Sequence, residues 1–212
     1  MSELLNVLIV GCGNIAGGYD ADKRDGGRPL THAGAYRSHG GFRLLTCVDP
    51  DGEKRSSFAS RWGVEEAVAS LDAVTGRAGR YDVVSICSPT AAHADDVASA
   101  IALRPALIFC EKPITPRYET SQELVGQCAA AGIQMAVNHT RRWDPEVIRL
   151  RSELASEQWG PVRSISAVYS KGILNNGSHM VDLLNYLVGP CVPVFAGPAE
   201  VEIGRASCRG RV

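Results

Sequence analysis

Short apolar runs recur along the first part of the chain, at 7–10, 44–48, 83–87, 107–110 and 135–137. Between them lie stretches such as "AHADDVASAIAL" and "ETSQELVGQCAAAG", rich in alanine, with apolar residues spaced i, i+3 and i+4. The runs are short enough for strands and the intervening stretches carry helical periodicity. Strands alternating with helices predict a parallel sheet covered on both faces. An open doubly wound sheet and a closed barrel both fit that alternation.

After Pro145 the pattern changes. "EVIRLRSELASEQWG" predicts a helix closed by Gly160 and Pro161. "VRSISAVYS" alternates apolar and polar, as a half-exposed antiparallel strand does. "GSHMVDLLNYLVG" predicts an amphipathic helix ending at Gly189, and "PVFAGPAEVEI" a further strand. The expected organisation is a sheet domain over 1–143, then the start of an α+β domain with a mostly antiparallel sheet over 144–201. One or two strands do not form an independently stable sheet, so this second domain reads as unfinished. Residues 202–212, "EIGRASCRGRV", break the preceding composition and read as a tail foreign to the fold. That stretch is similar to the translation of a sequencing adapter.

Composition narrows the function classes. The chain has 212 residues, 45% hydrophobic and 21% charged, which suits a globular protein with a real core. A formal net charge of −1 gives no basic surface for nucleic acid or anionic membrane. The first apolar run stops at glycines, with no basic segment before it, so neither a signal peptide nor a membrane span is expected. Seven cysteines make an odd count without a CxxC pair, which points to a reduced, cytoplasmic protein. The cysteines and five histidines show no metal-ligand spacing, so no metal is expected.

The first loop, "VLIVGCGNIAGGYD", favours the open sheet. It reads G-x-G-x-x-A at Gly11, Gly13 and Ala16. The first glycine permits a tight turn, the second lets backbone approach a pyrophosphate, and the alanine lets helix pack on strand. Asn14 and Ile15 would open the helix whose free N–H groups face the phosphates. The second run ends in an acid, "LLTCVDPD", which places Asp49 to accept from a ribose hydroxyl. The other reading of Asp49 is a turn residue before Pro50. The gap exceeds the usual ~20 residues, and the polar insertion "YDADKRDGGRPLT" accounts for the excess. The helix is expected to resume at "HAGAYRSHG". These features predict a Rossmann dinucleotide-binding domain.

Later runs also end in polar groups: Ser88, Pro89, Thr90 and His93; Glu111 and Lys112; Asn138, His139, Arg141 and Arg142. In an open α/β sheet these ends converge on one crevice. His93 is expected to line that crevice or to cap its helix, whereas His32, His39 and His139 read as loop or packing residues.

The ordered set "GCGNIA", "VDPD", "SPTAAH", "EKP", "RRWDP" and "NNGSHMVDLLNYLVG" resembles the Gfo/Idh/MocA family of NAD(P)-dependent oxidoreductases, from Leu4 to about Val201. The resemblance implies an N-terminal Rossmann domain and a C-terminal α+β domain supporting homo-oligomer contacts. The implied activity is hydride transfer between NAD(P) and a sugar, polyol or sugar-nucleotide derivative. It places Lys112 beside nicotinamide and substrate, with a Lys112–Pro113 bond that is often cis, and makes His179 the acid/base residue. Where many members carry aspartate four residues before that histidine, this chain has Asn175.

The expected catalytic residues are therefore Lys112, His179 and Asn175. The expected cofactor contacts are Gly11, Gly13, Asn14, Ile15, Asp49, Ser88, Pro89, Thr90, His93, Glu111 and Lys112. Lys112, Arg142, Asn175, Asn176 and His179 are expected to meet substrate. Hydride leaves a carbinol carbon only as the hydroxyl proton is removed, so a cation and a base are both required. Lys112 supplies the first and His179 the second. The alternatives are a surface lysine paired with Glu111 and a histidine beside a helix cap made by Asn176 or Ser178. Asp49 favours NAD over NADP, because a carboxylate repels a 2′-phosphate, although Lys54 and Arg55 stand nearby. Two other readings remain: a regulatory protein that binds NAD(P) without catalysis, which Asn175 would permit, and an incomplete product whose second domain does not fold.

Overall fold

The computed structural model describes residues 4–21, 27–156 and 158–195. Its elements are β1 (Leu5–Val10), α1 (His32–His39), β2 (Phe42–Val48), α2 (Gly52–Trp62), β3 (Glu66–Val68), β4 (Val83–Ile86), α3 (His93–Ala102), β5 (Leu107–Cys110), α4 (Tyr118–Ala130), β6 (Gln134–Val137), α5 (Pro145–Ala155) and α6 (Ser178–Val188). Six strands form one parallel sheet in the order β3-β2-β1-β4-β5-β6. The strand order reverses between β1 and β4, and ligands of open α/β sheets bind at such a switch point.

Side chains alternate across the sheet with period two. Leu8 and Val10 of β1 join Val84, Ile86 and Ile108 under α3 and α4. Val7 and Ile9 join Cys47 and Val83 under α1 and α2. Each face is thereby dry, which is why the strands read as continuous apolar runs. A buried Ile or Leu of this kind contributes about 1.5–3 kcal/mol.

All five predicted runs are strands. The sequence pattern did not announce β3 or α2. The first is three residues long, and Phe58 is the one buried residue of the second. The available signal for α2 was its cap: Asp51 accepts from the Glu53 and Lys54 backbone N–H groups at 3.0 and 3.1 Å.

The expected insertion behaves as a splice in a helix. Gly17 N donates to Gly13 O in a first turn, and the ladder is then taken up by His32 N on Ile15 O at 3.2 Å and Ala33 N on Ala16 O at 2.9 Å. Asp20 fixes the return by accepting from Leu30 N, Thr31 N and the Thr31 hydroxyl. Thr31 caps α1 through Gly34 N.

Beyond β6 two expectations need correction. The helix predicted to reach Gly160 stops at Ala155, although Asp144 and Pro145 start it as their types dictate. Residues 162–170 form no strand; Val168 is 90% exposed. A strand needs a ladder partner, and no neighbouring described segment supplies one. The remainder of the second predicted strand and the whole 202–212 tail lie outside the described residues. Among the described residues, no helix is long and apolar enough to cross a membrane.

Candidate active site

The glycine loop is shaped by one conformational demand. Gly11 has φ +88°, and a Cβ there would stand 2.6 Å from Ser88 N. Only glycine lets the β1 loop lie against the β4 loop in this way. Gly13 has nothing within 4 Å of its Cβ position, so its backbone is open to an approaching ligand. Asp49, at the end of β2, holds the loop by accepting from Cys12 N at 2.8 Å and from Asp51 N at 2.9 Å. Lys54 is paired with Asp51 at 3.5 Å and Arg55 donates to the Asp49 carbonyl at 2.5 Å. Both cations are engaged beside the carboxylate rather than aimed past it. Asn14 is exposed, with its side-chain oxygen against Gly18. Ile15 is half-buried and packs under the sheet.

At β4 and β5 the structure divides roles that the sequence had grouped. Ser88 turns its hydroxyl onto Asp96 of α3 at 2.5 Å. His93 is 1% exposed, with Nδ1 2.8 Å from Pro113 O and Nε2 2.9 Å from Ser88 O. It ties the two strand-end loops together, with both ring nitrogens engaged by backbone carbonyls. Pro89 is exposed, and Thr90 faces an open cleft shared with Pro113 and Asn175.

Glu111 is likewise engaged within the protein. Its carboxylate accepts from Asn138 Nδ2 at 2.6 Å and lies 2.9 Å from His32 Nε2. Among the described residues it pairs with His32 rather than with Lys112. Burial pushes its pKa up, but the hydrogen bonds from His32 and Asn138 outweigh this and hold it below the ordinary glutamate value. His32 continues inward to Ser85, whose hydroxyl also meets Tyr36 at 2.7 Å. Sequence reasoning missed His32 and Asn138 as parts of this anchor. The signal for His32 was its place directly after the Thr31 cap, in the first turn of the resumed helix.

Lys112 points the other way, as consecutive residues at a strand end do. Its Nζ donates to Asn175 Oδ1 at 3.1 Å. The Lys112–Pro113 peptide is cis. Asn175 and Asn176 sit on a π-helical turn, Ile173–Gly177, that runs directly into α6. No side chain caps α6; the Ser178 hydroxyl instead donates to the Asn175 carbonyl at 2.7 Å. His179 stands in the first turn of α6, edge-on to His139 with ring centroids 5.8 Å apart. Its Nδ1 is buried without a hydrogen-bond partner. Burial, then the charges of Lys112 and Arg141, hold the His179 pKa below the ordinary 6.5. His139 is lowered too, again mainly by burial, with Asp182 opposing.

Arg142 is engaged within the protein. Its guanidinium forks onto Asp182 of α6, with Nε at 2.9 Å from Oδ2 and Nη2 at 2.7 Å from Oδ1, and stacks 5.1 Å from the Tyr186 ring centroid. It fastens α6 to the sheet edge. Asn176 and the neighbouring Arg141 instead line an open cleft of about 280 Å³.

Residues 5–139 match the model of an oxidoreductase family with an NAD-binding Rossmann fold. Among relatives, inositol 2-dehydrogenase of Pseudarthrobacter chlorophenolicus is 32% identical over 162 residues, 76% of this chain and 44% of that protein. D-apiose dehydrogenase of Paraburkholderia graminis is 25% identical over 188 residues, 81% of this chain and 50% of that protein. The chain spans about half the length of the relatives it matches. A solved structure of scyllo-inositol dehydrogenase from Lactobacillus casei with bound NAD(H) and scyllo-inositol superposes with a TM-score of 0.68 at 19% identity, covering 88% of this chain and 57% of that one.

Proposed function

Because the chain belongs to the oxidoreductase family with the NAD-binding Rossmann fold, we propose that it transfers hydride between NAD(H) and a carbinol carbon of a sugar, polyol or sugar-nucleotide derivative. The observation that carries this reading is the meeting of Lys112 and Asn175 at 3.1 Å, which joins the end of β5 to the turn leading into His179. In this reading Lys112 and His179 bring a cation and a base to one crevice from segments far apart in sequence.

The glycine loop fits a dinucleotide, since Gly13 is open and a Cβ at Gly11 would collide with the Ser88 backbone. Gly11, Gly13, Asn14 and Ile15 would receive the pyrophosphate and Asp49 the ribose, with Pro89 and Thr90 at the cleft edge. When bound, NAD⁺ supplies the acceptor for the hydride that leaves the C–H bond with its electron pair. In that direction His179 takes the hydroxyl proton, so that the carbinol becomes a carbonyl. The Lys112 ammonium stabilises negative charge developing on the oxygen. Asn175 holds that ammonium by accepting from it, and Asn176 offers an amide to the substrate.

Asp49 supports NAD over NADP, and Lys54 and Arg55 beside it are engaged by Asp51 and the Asp49 carbonyl rather than held for a 2′-phosphate. The described cysteines are all free, most of them buried, which supports a reducing compartment such as the cytoplasm. Residues 144–201 serve as the substrate and self-association segment in this reading, supported by exposed Val168, Val194 and Phe195. The test is NAD⁺ reduction with a panel of sugars and polyols, beside calorimetric titration of NAD⁺ and NADP⁺. Reduction with at least one polyol and tighter NAD⁺ binding are expected. Cofactor binding without turnover on any member would instead favour a regulatory binding protein.

A further inference from the structure

Two consecutive arginines follow β6 and diverge. Arg142 is spent on Asp182. Arg141 is exposed and lines the cleft of about 280 Å³ with Ser170, Tyr169 and Asn176. Among the described residues, no carboxylate pairs with the Arg141 guanidinium. A second cleft, of about 680 Å³, is lined by Lys171 and Asn175. Lys112 donates to that same Asn175. The described walls of the two clefts thus carry Arg141 and Lys171 and no acid. The carboxylates nearest the reacting groups are already taken: Asp182 by Arg142, Glu111 by His32 and Asn138.

Uncompensated cations around an open cleft concentrate anions. A guanidinium adds shape, because its planar fork matches a carboxylate with two parallel hydrogen bonds. Arg141 also acts on His179, helping to disfavour its charged form. The cleft that Arg141 lines also includes Asn176 and Met180, which bracket His179 at the start of α6, so an anion held there lies near the proposed base. Ser170, Tyr169 and Asn176 supply hydrogen-bonding groups suited to hydroxyls on the rest of such a molecule.

We propose that the substrate is a polyhydroxy carboxylate, of the aldonate or uronate class, whose carboxylate is held by Arg141 beside His179. This rests on the hydride-transfer reading and narrows its substrate class. The carboxylate is preferred to a phosphate because the cleft offers one fork rather than a cluster of cations.

The test is calorimetric titration of the chain, with and without saturating NADH. The probes are D-gluconate and D-glucuronate, the neutral sorbitol and myo-inositol, and glucose 6-phosphate. Both acids should bind about tenfold or more tightly than the neutral compounds, as one charge-assisted bidentate contact warrants. In Arg141→Gln the acids should fall to the level of the neutral compounds. Arg141→Lys, which keeps charge but not the fork, should recover part of the preference. Thermal melts establish that both variants fold, and Arg141→Lys alone decides if Arg141→Gln does not. Equal binding of acids and neutral polyols, a preference that survives Arg141→Gln, or tightest binding of glucose 6-phosphate would each overturn the proposal. NAD⁺ reduction by neutral polyols without any acid preference removes this inference and leaves the broader reading standing. Failure to bind NADH removes the broader reading instead.

Discussion

Glu111 and Lys112 are neighbours with opposite duties. The glutamate is clamped below the sheet edge by His32 and Asn138, and this fixes the strand end from which Lys112 reaches Asn175. What was legible in the sequence was the set of residues whose chemistry shows locally: Gly11 in its turn, Asp49 at a strand end, Lys112 before a proline. What was not legible were pairings set by distance along the chain. The partner of Glu111 lies 79 residues away and that of Arg142 lies 40 away, and no local pattern reports either. Two predictions belong at this scale. Asp49 holds the glycine loop and is the proposed partner of the ribose, so Asp49→Ala should weaken NAD(H) binding and relax the preference over NADP(H), read by calorimetry. As the proposed base His179 works only when neutral, and burial, then the charges of Lys112 and Arg141, hold its pKa below the ordinary 6.5. Oxidation should therefore rise with pH along a limb centred below 6.5, since protonation removes the base as pH falls through the lowered pKa. Asn175→Asp places a carboxylate nearby, favours imidazolium, and should move the limb to higher pH. The shift should be absent in His179→Gln, which should be slow at every pH; an unmoved limb would mean the two side chains do not share a site.

Elements were readable where they bury an apolar stripe. The helix interrupted by the insertion resumes in register, with His32 N on Ile15 O and Ala33 N on Ala16 O, because the glycine loop and "HAGAYRSHG" pack on the same face of β1. The alternating stretch at 162–170 misled because alternation reports a face to be covered, not the presence of a strand to pair with. Gly11→Ala tests the loop packing. A positive φ and contact with Ser88 backbone should cost about 1–3 kcal/mol, seen as a lower urea midpoint together with loss of NAD(H) binding. Arg142→Ala tests the fastening of α6. It strands an Asp182 carboxylate that is 13% exposed, and should cost about 2 kcal/mol once the half-open position of the arginine is allowed for. Faster proteolysis within α6 should accompany it. An unchanged digestion pattern would mean α6 is held by other contacts.

At the scale of the whole molecule, the alternation of runs and helices left an open sheet and a closed barrel, the glycine loop favoured the open sheet, and the strand order is that of an open sheet. The buried core draws on the sheet and its helices, and no described residue of α5 or α6 is fully buried. The cofactor half of the proposed site thus stands on a rigid scaffold. The substrate half depends on contacts at its edge, Lys112 with Asn175 and Arg142 with Asp182. The most direct test of hydride transfer at Lys112 is NADH formation from NAD⁺ and a panel of neutral and acidic polyols. It compares the unmodified chain with Lys112→Met, and cofactor affinity is measured in both by calorimetry. The account predicts NADH formation by the unmodified chain and its loss in Lys112→Met with NAD⁺ affinity largely kept, because the ammonium serves the developing alkoxide rather than the pyrophosphate. Equal turnover in the two proteins would contradict it.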